Sequence, residues 1–349
     1  MKYLITGGCG FLGSNIAAHL LQQKHEVAVI DNFFRVGAEK NLQRLYALSV
    51  GNFNFHKADV RNAYELEPII EQYHPDVIFH FAGQVAMTTS IKNPYLDFEI
   101  NAKGTLNILE CVRKYCPTAI VCYSSSNKVY GDFSDITFYE DSSRYYAKGY
   151  EAGFDESIAL SFHSPYGCSK GCADQYMLDY ARIYDLNTIV LRHSSIFGTY
   201  QYGTIDQGWV AWFCQKALET KQNPNTTFTI CGNGKQVRDV LFVSDLIDCY
   251  QAAIQNIHQT KGQAFNIGGG VSNSLSLLEL FNLLNKHLNI TLNPQCQPWR
   301  QSDQKVFIAN TQKAAQLFSW QPKTDKLTGI IKMLEWMTAI EGSSIASIS

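Results

Sequence analysis

The sequence contains no CxxC pair, no run of 18 apolar residues and almost no charge imbalance, with 29 Lys and Arg against 31 Asp and Glu for a formal charge of -2. Each absence removes a class of function. Without CxxC there is no simple dithiol or zinc motif, and ten cysteines scattered over 349 residues suit buried free thiols in a reducing compartment better than a disulfide scaffold. Without a long apolar run there is no candidate membrane span, and the apolar run in "MKYLITGGCG" is too short for a signal peptide. The balanced charge gives no broad attraction to nucleic acid or to an anionic membrane. The expected compartment is the cytoplasm and the expected partners are small molecules, with no nucleic acid and no membrane.

What is present is a regular alternation. Short β-rich runs ("KYLIT", "EVAVID", "FNFHKAD", "DVIFHFAG", "AIVCYSS", "TIVLRHSS") are separated by stretches of helical length. The runs are almost continuously apolar, as strands covered on both faces must be. The pattern predicts an α/β fold: a doubly wound parallel sheet over residues 1–195, to which a segment near 236–267 is expected to return, and a second, smaller α/β domain over 196–340. Residues 341–349 read as a mobile tail. Trp209, Trp212 and Phe213 follow helical spacing and are expected to pack the second domain's core or the domain boundary.

"LITGGCGFLGSNIAAHLLQ" sets Gly7, Gly10 and Gly13 between a strand and a helix, where a tight turn aims backbone N–H groups and the helix N-terminus at a pyrophosphate. Glycine clusters also serve plain steric needs, so the next signal matters. The following strand ends in Asp31, 18 residues past Gly13, where a carboxylate accepts ribose hydroxyls and repels a 2′-phosphate. NAD is favoured over NADP, although Arg35 nearby is a group that can accept that phosphate.

"SPYGCSKGC" places Tyr166 and Lys170 four residues apart, on one helix face. A phenol titrates near ~10 and is a poor base at neutral pH, but a neighbouring ammonium favours its phenolate. The spacing alone is common on solvated helices. The serines of "CYSSSNKVYG", Ser124 to Ser126, add a hydroxyl source at a strand end, the edge where doubly wound folds bind ligands. Cys168 and Cys172 flank Lys170 without further ligands at metal spacing and read as packing, and no metal is expected.

Taken in order, the glycine loop, Asp31, the serine strand end and YxxxK resemble the extended short-chain dehydrogenase/reductase superfamily of nucleotide-sugar enzymes, over nearly the whole chain to about residue 340. "AGQVAMTTSI", "SSSNKVYG", "FHSPYGCSKGCADQYMLDYARI", "GNGKQVRDVL" and "NSLSLLELF" resemble the CDP-tyvelose (CDP-paratose) 2-epimerases within it. The resemblance implies a Rossmann sheet and Ser126, Tyr166 and Lys170 as the catalytic set. It implies NAD contacts from Gly7, Gly10, Phe11, Leu12, Gly13, Asp31, Asn32, Asp59, Val60, Phe81, Ala82, Gly83, Asn101, Ser124 and His193, besides Tyr166 and Lys170. Arg238, Arg300 and Asp303 would hold the nucleotide diphosphate and ribose, with Thr88, Ser126 and Ser195 nearer the sugar. A CDP-3,6-dideoxyhexose substrate, a place in lipopolysaccharide O-antigen synthesis and a homodimer or homotetramer follow from the same resemblance.

Where similar dehydratases carry an Asp-Glu pair after the catalytic Ser/Thr, this chain has Asn127 and Lys128, which cannot supply a carboxylate acid and base. Where UDP-sugar 4-epimerases commonly carry Lys, it has Val85, preceded by Gln84. The expected reaction is C2 epimerisation through a transient 2-keto sugar. A UDP-sugar 4-epimerase is the alternative, and a non-catalytic NAD-binding protein is a further one.

Overall fold

The computed structural model describes residues 1–300 and 302–346, the last six in backbone only. Residues 347–349, the end of the stretch expected to be mobile, lie outside the described residues. Five parallel strands form the first part of the main sheet: β1 (Lys2–Thr6), β2 (Glu26–Asp31), β3 (Phe53–Lys57), β4 (Val77–His80) and β5 (Ile120–Ser126). Strands Asn187–His193 and Gln263–Ile267 extend it, giving the seven-stranded order Gln263–Ile267, Asn187–His193, β5, β4, β1, β2, β3. All neighbours run parallel.

The apolar runs form strands here because helices cover both faces. One core packs Ile5, Val29, Phe79 and Leu191 against the helix Phe11–Gln22, and the other packs Leu4, Ile30, Ile78 and Val121 against Leu109, Val112 and Met177. Successive residues of each strand thus feed opposite cores.

The order reverses at β1, whose neighbours β2 and β4 continue the chain in opposite directions; a crevice opens beyond the carboxyl ends of strands at such a point. Everything chemically distinctive gathers at that edge. Residues 94–115 form a chain of helical segments: Pro94–Phe98, a π-helical turn Glu99–Lys103 and Gly104–Tyr115. Such turns often mark sites where a side chain must be re-aimed, and here it holds Asn101.

The chain after residue 195 is less regular. Strands Ser195–Phe197, Val237–Phe242, Ser274–Ser276 and Val306–Phe307 make a small mixed sheet, and a third core gathers Phe213, Phe228, Leu280 and Phe281. Trp209 and Trp212 pack against that core as expected but stay only partly buried, because the helix Trp209–Gln222 turns one side to a cavity.

Candidate active site

Two adjoining cavities open at the carboxyl edge of the sheet. The first is lined by Gly7, Gly10, Phe11, Leu12, Gly13, Asp31, Asn32, Asp59, Val60, Phe81, Ala82, Gly83 and Ser124. Its floor is the turn between β1 and the helix Phe11–Gln22. A Cβ on Gly13 would sit 2.3 Å from the Gly7 carbonyl oxygen, and one on Gly7, at φ 65°, would meet the Ala82 backbone at 2.8 Å. The turn therefore admits no side chain at Gly7 or Gly13. The helix starts without a side-chain cap and without an acidic residue in its first turn, so its N–H groups remain available to an anion.

At the far end, Asp31 accepts hydrogen bonds from the N–H of Cys9 at 2.9 Å and of Phe33 at 2.8 Å. Burial raises its pKa and these backbone bonds oppose the rise. Each oxygen keeps acceptor capacity for a hydroxyl. Asp59 accepts three hydrogen bonds from Arg61, one from its backbone N–H and two from its side chain, and one from Asn32 at 2.9 Å. Burial works against ionisation, but those bonds outweigh it and hold Asp59 down at about 2. Arg35 lines the same cavity, and burial lowers its pKa.

This cavity fits a dinucleotide on its own evidence: a side-chain-free cradle at an uncapped helix start, a carboxylate at the next strand end, and a buried Asn41 whose Oδ1 has no hydrogen-bond partner among the described residues. Asn41, Gln201 and Gln207 line the cavity, and sequence reading did not single them out. Their signal is absent from any short motif, since the segment holding Gln201 and Gln207 arrives from nearly 170 residues beyond the Asp31 strand.

The second cavity is lined by Ser124, Ser126, Lys128, Tyr166, His193, Ser195, Arg238, Arg300 and Asp303, with Trp209 and Trp212 on one wall. Tyr166 and Lys170 lie in the first turns of the helix Ser164–Tyr184, which Pro165 opens and which packs on β5. Tyr166 and Ser126, the last residue of β5, face the same cavity, and the Ser126 hydroxyl favours the Tyr166 phenolate. Burial pushes the Tyr166 phenol up to about 12, the Ser126 hydroxyl opposing and Asp97 adding to the rise. Lys170 donates to the Ser124 carbonyl at 2.5 Å, and its ammonium lies 4.3 Å from the centre of the Tyr123 ring. Burial lowers Lys170 to about 7, opposed by Asp97 and Asp174. His193 bridges Ser124 at 3.2 Å and Tyr250 at 3.1 Å, and burial, then Lys170, holds it neutral down to about 3.

On the opposite wall Asp303 accepts from Arg238 at 2.8 Å and from Lys128 at 3.2 Å. One carboxylate between two cations leaves a surplus positive charge facing the cavity. Arg300 reaches the Ile205 carbonyl at 3.1 Å, and Ser195 accepts from Trp209 Nε1 at 2.9 Å.

Some expected residues stand elsewhere. Thr88 lines neither cavity; its Oγ1 is buried without a hydrogen-bond partner among the described residues, because the helix Met87–Lys92 turns it inward. Asn101 also lies behind the wall, bonded to the backbone of Gln84, though its Oδ1 would be 3.2 Å from a Cβ on Gly83. Cys168 is exposed rather than packed, since its side of the helix faces outward.

Comparison with known proteins agrees with this geometry. The model of the NAD dependent epimerase/dehydratase family matches residues 3–268. The chain is 54% identical over 340 residues to CDP-paratose 2-epimerase of Salmonella typhi, covering 97% of this chain and 100% of that protein. The UDP-glucose 4-epimerase of Thermotoga maritima, solved with UDP-glucose, superposes with a TM-score of 0.82 at 27% identity, covering 97% of this chain and 99% of that one. The dTDP-glucose 4,6-dehydratase of Bacillus anthracis, solved with NAD, gives 0.78 at 27% identity and 98% coverage of both chains. The cradle, the Ser126–Tyr166 pair and these matches together establish that the chain belongs to the NAD dependent epimerase/dehydratase family.

Proposed function

We propose that this enzyme interconverts CDP-paratose and CDP-tyvelose by inverting C2 of the sugar, with NAD as its cofactor. The observation that carries the reading is the end-to-end 54% identity to a CDP-paratose 2-epimerase. The matched 4-epimerase structure shares only 27% identity, which favours the UDP-sugar alternative less.

Epimerisation changes no net redox state, yet the C2–H of a sugar with no adjacent carbonyl is too weakly acidic for a side-chain base. Bound NAD supplies the missing chemistry, an acceptor that takes the C2 hydrogen with its electron pair and gives it back. The protein's part is proton transfer and grip. Tyr166 takes the proton of the C2 hydroxyl while Ser126 hydrogen-bonds the same oxygen. Lys170 supports the phenolate electrostatically, which a phenol pushed up to about 12 by burial requires. Arg238 and Arg300 hold the diphosphate through charge-assisted bonds and Asp303 the ribose, leaving the sugar to present its other face at the 2-keto stage. Ser195 and the Trp209 wall border the sugar.

In this reading the main sheet with its cradle serves NAD, and the strands and helices after residue 195 serve the nucleotide. The exposed Phe98, Ile183 and Tyr184, on helices flanking the site, support pairing into a homodimer or homotetramer. No helix among the described residues is long and apolar enough to cross a membrane; a cytoplasmic enzyme supplying surface-polysaccharide sugars fits the proposed substrate.

The direct test incubates purified protein with CDP-paratose, CDP-tyvelose and UDP-glucose and separates the products. Interconversion of the two CDP sugars is expected. Turnover of UDP-glucose alone, to UDP-galactose, would overturn the reading.

A further inference from the structure

Behind the Ser126–Tyr166–Lys170 group lies a buried polar network that lines neither cavity. Its centre is Asp97, fully buried, whose carboxylate accepts from Gln84 Nε2 at 2.7 Å, from Asn101 Nδ2 at 3.3 Å and from Ser169 Oγ. Gln84 also clamps its own loop, accepting from the Ala86 N–H at 2.6 Å and donating to the Ala86 carbonyl at 2.8 Å. Asn101 donates to Ser169 at 3.0 Å. The network thus ties the loop after Gly83 and the π-helical turn to the long helix, one residue before Lys170.

The charges on this side of the sheet do not pair off locally. There are two buried carboxylates, Asp97 and Asp174, and two buried cations, Lys170 and Arg192. Arg192 engages Asp174 through two hydrogen bonds of 2.9 Å, and Ser125 adds a third at 2.7 Å. Lys170 has no carboxylate within ion-pair distance among the described residues, and its one hydrogen bond goes to a carbonyl. Asp97 is the carboxylate left over and Lys170 the cation left over.

Other groups facing Lys170 cannot take that part. His80 on β4 and His193 on the strand Asn187–His193 are held neutral by burial, and Tyr123 on β5 and Tyr166 on its own helix are neutral phenols. Against the burial that disfavours the Lys170 ammonium, Asp97 is the foremost opposing charge, ahead of Asp174. Burial also raises Asp97, but three donors on one carboxylate favour its charged form.

We propose that Asp97 is a positioning residue whose carboxylate is the counter-charge that keeps Lys170 an ammonium, while its hydrogen bonds fix the Tyr166–Lys170 helix against the loop bearing Gly83. This rests on the reading of Tyr166 and Lys170 as the working pair. It adds that the pair depends on a charge outside the cavity, supplied by the turn that precedes the π-helical segment.

The test separates charge from hydrogen bonding, and its titration needs neither sugar nor cofactor. In protein labelled at lysine Cε, the Lys170 resonance is assigned by its loss in Lys170→Arg and titrated by NMR. Asp97→Asn keeps the shape and removes the charge; its Lys170 midpoint should fall by about one pH unit or more. Ser169→Ala removes a hydrogen bond and keeps the charge; its midpoint should stay at the wild-type value. The alkaline limb of epimerisation should move down in Asp97→Asn alone. An unchanged midpoint in Asp97→Asn, or an equal shift in Ser169→Ala, would overturn the proposal, whichever sugar the enzyme accepts.

A melting-temperature cycle covers the case in which Asp97→Asn folds poorly. Removing a lone counter-charge strands the other buried charge, so Asp97→Asn with Lys170→Met should be more stable than Asp97→Asn alone. Strictly additive losses would contradict the pairing.

Discussion

The two cavities meet at one sheet edge yet are built by opposite means. The first has a backbone floor, a turn that excludes side chains at Gly7 and Gly13 and an uncapped helix start, with Asp31 at the next strand end and Asp59 beyond it. The second is made of side chains from distant parts of the chain, with Lys128, Arg238 and Asp303 sharing one cluster. A backbone site tolerates almost no substitution at a few positions and is indifferent elsewhere. A side-chain site can be retuned residue by residue, which is how one scaffold serves several sugars. Tyr166 stands in the second cavity and Lys170 behind its wall.

Substitutions should separate the two walls. The largest effect is expected from Tyr166→Phe, which leaves both walls intact and removes the proton acceptor. Turnover should fall about a thousandfold while NAD binding, read by fluorescence quenching, is kept. Arg238→Ala breaks only the nucleotide wall. Losing a charge-assisted contact of about 1.5–3 kcal/mol should raise KM roughly ten- to a hundredfold in steady-state kinetics, with NAD affinity unchanged. Gly13→Ala breaks only the cradle, forcing a Cβ against a backbone oxygen at 2.3 Å. It should cost ~1–3 kcal/mol, read as a lower melting temperature and loss of retained NAD.

A subtler effect concerns acid. His80 and His193 are both held near about 3 by burial, below the ordinary 6.5. Below 6.5 the unfolded chain takes up protons that the folded protein refuses, so stability must fall as pH drops from about 6.5 toward 3. His193→Asn should remove about one proton from that slope in denaturant titrations across the window. The smallest effect belongs to Cys168→Ser, an exposed position beside the active helix turns, expected within about 0.5 kcal/mol and with full activity.

The same contrast explains what the sequence could reveal. The cradle was legible because its constraint is local: Gly7, Gly10 and Gly13 must follow a strand, and Asp31 must end the next. The inner strands were legible because burial on both faces favours apolar residues, whereas β3, at the sheet edge, carries Asn54, His56 and Lys57 and buries none of its residues. The order of the sheet, by contrast, needs β1 placed between β2 and β4, which no local pattern states. Asn41, Gln201 and Gln207 were missed because only folding brings them to the cradle. Thr88 was placed at the sugar as a small residue, yet it lines neither cavity. Trp209 and Trp212 kept helical spacing, but periodicity cannot tell a core from a cavity wall. Asp97 left no mark in the sequence, since its meaning lies in which buried cation already has a partner.

The central claim is that the hydrogen leaving C2 is the one that returns. Epimerisation of C2-deuterated CDP-paratose in ordinary water, followed by mass spectrometry and NMR of the CDP-tyvelose formed, tests it directly. Retention of deuterium at C2 is the predicted result; washout into solvent at the rate of epimerisation would contradict it.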